Sequence, residues 1–118
     1  MERHSSSFDA GDKQQHTLAG EVCVEGVTLH KGFHGKLLIK PALSNHGIVF
    51  KRTDLKASEN LVRARWDNVS DTALCTTVSN ESGISVSTIE HLMAALAGCA
   101  IDNALVEINC PEIPIMDG

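Results

Sequence analysis

From Thr17 onward, apolar and polar positions alternate in short runs, the period of half-buried strands. "GEVCVEGVTL" (20–29) spaces Val22, Val24, Val27 and Leu29 this way, with Gly26 predicting a turn or bulge. "GKLLIKPA" (35–42) predicts a second strand that Pro41 stops. "SNHG" (44–47) is a turn, and "IVFKRTDL" (48–55) leaves it as a third strand. "NLVRARWDNV" (60–69) sets Leu61 or Val62 against Arg63 and Arg65, a half-exposed strand. "TALCTTVSNESGISV" (72–86) predicts a hairpin whose turn is Asn80 to Gly83, with Gly83 suited to a positive φ. "DNALVEINCPEIPI" (102–115) predicts a last strand.

Between the hairpin and that strand the period changes to that of a helix. "VSTIEHLMAALAG" (86–98) carries Ile89, Leu92, Met93 and Leu96 on one face. Ser87 and Glu90 form a capping-box pattern, and Gly98 is the expected stop. The opposite face holds His91, Ala94, Ala95 and Gly98, small where a surface helix carries Lys or Glu. This predicts a helix buried on both sides or lining a cleft against another layer. Several strands, one helix and a further strand together predict an α+β fold: a small, mostly antiparallel sheet with one face covered by the helix.

Glu90 and His91 admit two readings. Glu90 fits the third position of a capping box, where a carboxylate bonds back to the chain and meets the positive end of the helix dipole. His91 fits a hydrogen-bonded structural histidine. As a pair at a helix entrance they also suit a zinc ligand and the general base for its water. A catalytic zinc needs about three protein ligands, and the chain has no H-E-x-x-H. His30 and His34 flank Gly32 in "LHKGFHG", with Lys31 and Lys36 nearby. That stretch is either a solvated loop or one offering positive charge to an anionic substrate.

The 118 residues suffice for one core. Three Phe, one Trp and no Tyr make that core aliphatic and leave no stacking platform for single strands. A formal net charge of -5 argues against a nucleic-acid partner. No apolar run approaches the roughly 20 residues of a transmembrane segment. Residues 1–16 are polar, lack a secretory apolar stretch and predict a disordered tail before a domain at 17–118. Cys23, Cys75, Cys99 and Cys110 form no C-x-x-C pair, so free, buried thiols in a reducing cytoplasm are expected rather than disulfides or a Cys-bound metal.

"STIEHLMAALAGCAIDNALVEINCPEIPIMDG" (87–118) closely resembles the UDP-3-O-acyl-N-acetylglucosamine deacetylases, zinc hydrolases of the committed step of lipid A synthesis in Gram-negative bacteria. "GVTLHKG" (26–32), "FKRTDL" (50–55) and "DTALCT" (71–76) match in the family's order. The resemblance implies two similar α+β domains packed with helices between their sheets, of which this is the first. It implies His91 as a zinc ligand, Glu90 as general base, His30 at the active site, and Leu74, Cys75 and Thr76 lining the cleft. The substrate implied is a UDP-sugar acyl lipid precursor, whose acetamide is hydrolysed to acetate and a free amine. The family's remaining zinc ligands belong to a second domain that would follow Gly118, so this stretch alone is expected to be inactive. A non-catalytic α+β binding module, or a domain completing a metal site with a partner chain, are the other readings. Thr28 and Ala100 stand where the family usually has glycine, positions read here as ones where Gly is merely common.

Overall fold

The computed structural model describes residues 15–114 except 31, 56–58, 66–68 and 72–75. In chain order the elements are β1 (Val22–Val27), β2 (His34–Pro41), β3 (Ile48–Arg52), β4 (Leu61–Arg63), β5 (Val69–Asp71), β6 (Thr77–Ser79), β7 (Ser85–Ser87), α1 (Glu90–Gly98) and β8 (Ala104–Ile108). They form a small α+β domain with a five-stranded sheet, ordered β1-β2-β8-β3-β4, and a three-stranded sheet, β5-β6-β7. Every pairing is antiparallel except β3 with β8, so the larger sheet is mixed.

Strand alternation builds the core. Register aligns Ile39 with Val106, Val106 with Phe50 and Phe50 with Val62, an apolar row across four strands whose members are all buried. Val78 of β6, Val86 of β7, and Ile89, Leu92 and Leu96 at α1 join the same cluster, with Met93 packed against it. Full burial of such a side chain stabilises by about 1.5–3 kcal/mol. Arg52 ties the two sheets together. It makes a forked pair with Asp54 (2.8 and 2.7 Å) and donates from Nη1 to the Ser85 carbonyl (2.9 Å).

The hairpin turn forms as expected, with Gly83 at φ 82. Other local expectations are corrected. Gly26 lies inside β1, opposite Gly35, and makes no turn. The expected strand at 60–69 ends at Arg63, and Val69 begins a strand of the other sheet. Cys23 and Cys99 are free but exposed, whereas Cys110 is free and buried. Cys75 lies outside the described residues. Gln15 and His16, expected in the tail, are hydrogen-bonded into the fold: Gln15 contacts Asn45 and Asn103, and the His16 carbonyl accepts from Asp102 and Asn103. Residues 1–14 lie outside the description.

Both helix ends differ from expectation. Ser87 belongs to β7, where its N–H donates to the Pro111 carbonyl (2.8 Å), so it cannot cap α1. Ile89 occupies the cap position and no side chain bonds there. At the far end Gly98 is the last helical residue, but the left-handed residue is Ala100, at φ 59. Ala100 N–H bonds Ala97 and Ile101 N–H bonds Leu96, which is a Schellman motif. A glycine is favoured at that backbone position, so Ala100 is strained there and the position is not one where Gly is merely common. The small face of α1, expected to be buried or to line a cleft, is open in this chain: His91, Ala94, Ala95 and Gly98 are all exposed.

Candidate active site

The loop after β1 is built around Thr28, which is 2% exposed. Its N–H donates to the Phe33 carbonyl (2.8 Å), its hydroxyl accepts the Phe33 N–H (2.8 Å), and its carbonyl accepts from Gly32 (3.1 Å). Gly32 takes φ 68, the left-handed conformation this tight loop requires. Thr28 has no positive φ, so threonine fits there and its hydroxyl closes the loop. His30 sits at the tip.

Beneath His30 lies Glu112, 1% exposed. The His30 N–H points at both carboxylate oxygens (3.0 Å to Oε2, 3.2 Å to Oε1), and His30 Nδ1 is 2.6 Å from Oε2. The Thr88 hydroxyl donates to the same Oε2 at 3.0 Å. Residues 111–114 reach this place by threading between two strand ends. Ser87 bridges Glu112 on one side and Thr28 bridges Pro114 on the other. Thr88 has φ 59, rare for a β-branched residue and costing roughly 1–3 kcal/mol. That conformation turns the chain from β7 into α1.

Just past the strained residue, Glu90 opens the helix. Its Oε1 accepts the Thr76 N–H at 3.2 Å, and the Thr76 carbonyl accepts from Ile89 at 3.3 Å. Glu90 thus makes no reciprocal bond with Ser87. Both Glu90 and His91 are exposed. Of the residues singled out from sequence, His30, Thr76 and Glu90 meet around the Thr88–Ile89 step, with His91 beside Glu90 on the helix. Leu74 and Cys75 lie outside the described residues. His34 and Lys36 are strand residues of β2, not loop residues, and His34 Nε2 lies 3.5 Å from Glu25.

Glu112 was missed by sequence reasoning. Its signal was a single carboxylate between two prolines in the apolar run "NCPEIPI", where a buried acid needs donors around it. Nearby, burial pushes the Cys110 thiol up, away from the reactive thiolate. Among the described residues no group of three His, Cys, Asp or Glu converges as a metal cage. Among them, too, no helix is long and apolar enough to cross a membrane.

A family model described as UDP-3-O-acyl N-acetylglycosamine deacetylase matches residues 15–118. Proteins named UDP-3-O-acyl-N-acetylglucosamine deacetylase from Shewanella woodyi, Photobacterium profundum and Idiomarina loihiensis are 52%, 48% and 50% identical to the chain. The alignments cover 88%, 89% and 89% of the chain and 34% of each relative, so the chain spans about a third of the length of the relatives it matches. With the match running through every described element, the chain belongs to the UDP-3-O-acyl-N-acetylglucosamine deacetylase family.

Proposed function

We propose that this chain, residues 17–118 above all, is the N-terminal domain of a zinc-dependent deacetylase. It would act on a UDP-3-O-acyl-N-acetylglucosamine in the committed step of lipid A synthesis, in the cytoplasm of a Gram-negative cell. The observation that carries the proposal is the state of Glu90. A glutamate that merely capped its helix would bond back to Ser87, and this one is free of that duty and exposed beside an exposed histidine.

His91 would supply one zinc ligand, and a second domain of the same protein would supply the rest. When bound, the zinc polarises the acetamide carbonyl and acidifies a water. Glu90, its Oε1 held by the Thr76 N–H, would take the proton from the attacking water. The C–N bond would then break as the nitrogen gains a proton, giving acetate and a free amine. His30, Leu74, Cys75 and Thr76 would line the substrate side of the cleft. The small face of α1 would receive the second domain, which would cover the helix and complete the cleft. The chain by itself would not turn over substrate.

Replacing Glu90 by Gln in the two-domain protein tests this. Loss of a general base predicts a fall in kcat of about 10²–10⁴-fold with KM little changed. A kcat within a few-fold of the unmodified protein contradicts the assignment.

A further inference from the structure

Glu112 has no part in the chemistry above, yet two costly features converge on it. A buried charge is a weak source of stability, since an apolar side chain of similar volume is often neutral or better in its place. Thr88, held in a left-handed conformation, brings its hydroxyl to the same oxygen. Both serve Oε2, the atom that meets His30 Nδ1 at 2.6 Å. The backbone N–H of His30 can only donate, and the carboxylate accepts it at both oxygens. Surrounded by donors, the carboxylate takes the Nδ1 contact as one more N–H···O bond.

We infer that Glu112 is the positioning residue for His30, keeping the proton on Nδ1 so that Nε2 is the single ring atom at which the imidazole exchanges a proton or meets substrate. One carboxylate grips this residue twice, through its backbone N–H and its ring, which fixes both tautomer and orientation. The side chain is 40% exposed, so the other edge of the ring remains open. Nε2 takes no partner among the described residues. Neutral, it accepts a hydrogen bond, which suits a hydroxyl or amide N–H of a sugar. The sugar rests on the deacetylase reading, but the tautomer does not.

Long-range ¹H–¹⁵N correlation spectra of the ¹⁵N-labelled chain, recorded in alkaline buffer, read the tautomer directly. The expected spectrum shows His30 protonated at Nδ1 and bare at Nε2, the minor form of an unconstrained histidine. Protonation at Nε2 overturns the inference and needs no variant to be seen. In the two-domain protein, Glu112→Gln should mix the His30 tautomers and lower kcat/KM by about 10–100-fold. An unchanged tautomer with an unchanged rate also overturns it, even if the variant is less stable. Should Glu112→Gln fail to fold, the spectrum of the unaltered chain still decides, with a proton on Nδ1 expected and a proton on Nε2 overturning the inference. An Nδ1–H His30 in a protein that does not deacetylate would sink the proposed function and leave the pairing standing.

Discussion

Thr88 and Asp54 are each explained by the neighbours they bond. Thr88 tolerates a left-handed backbone because its hydroxyl reaches Glu112 and its main chain delivers Ile89 to Thr76. Neither contact can be read from "VSTIEH", since both partners lie elsewhere in the chain. The capping-box pattern was legible there and was false, because β7 claims Ser87 for Pro111 before the helix begins. Asp54 yields a prediction of its own. The forked bond from Arg52 holds its carboxyl below the usual carboxylate value. A depressed folded pKa contributes stability that is complete above the unfolded value of about 3.9 and is lost as pH falls through the folded value. Asp54→Asn should therefore lower stability at neutral pH, and the gap to the parent should narrow as pH drops below about 4. Denaturant midpoints from pH 7 to 3 check this, and a gap that widens in acid would contradict it.

At the scale of elements, strands were the most legible part of the sequence. β1, β3 and β8 fall within the expected runs and β2 starts one residue early; β2 and β8 alternate a buried face with a more open one, whereas β1 buries no residue fully and β3 buries Val49 and Phe50 in succession. What alternation cannot show is partner choice, and β8 lies between β2 and β3 only through the non-local register of Ile39, Val106 and Phe50. The core stripe of α1 was likewise legible, whereas its C-terminus was legible only in part. Gly98 marks the stop, but the left-handed residue is two positions later, and it is an alanine. An alanine there costs roughly 1–2 kcal/mol in backbone strain. Ala100→Gly should stabilise the domain by about 0.5–1 kcal/mol, after allowing for the extra freedom of glycine in the unfolded chain. The measurement is the denaturant midpoint at constant m value. A lower midpoint would show that Ala100 makes contacts worth more than its strain.

For the molecule as a whole, a candidate site gathers at one place where three separate parts of the chain end: the loop after β1, the step from β7 into α1, and the segment 111–114. The sequence pointed to His30, Glu90 and His91 through resemblance, and the fold brings His30 to Thr88 (3.5 Å), two residues before Glu90 and three before His91. Residues 111–114 lock the β1 loop to the helix entrance through the Thr28–Pro114 and Ser87–Glu112 bridges. The helix presents its histidine and its alanines to solvent, and no metal cage closes among the described residues. The relatives are about three times this length, which leaves room for the further ligands that the proposed function requires.

The most direct test of this account is the metal content of the two-domain protein with His91 intact and with His91→Ala, measured by elemental analysis after dialysis alongside circular dichroism. The account predicts close to one equivalent of zinc for the intact protein and a large loss for the variant, with the fold retained. Full retention of zinc by the folded variant would contradict it.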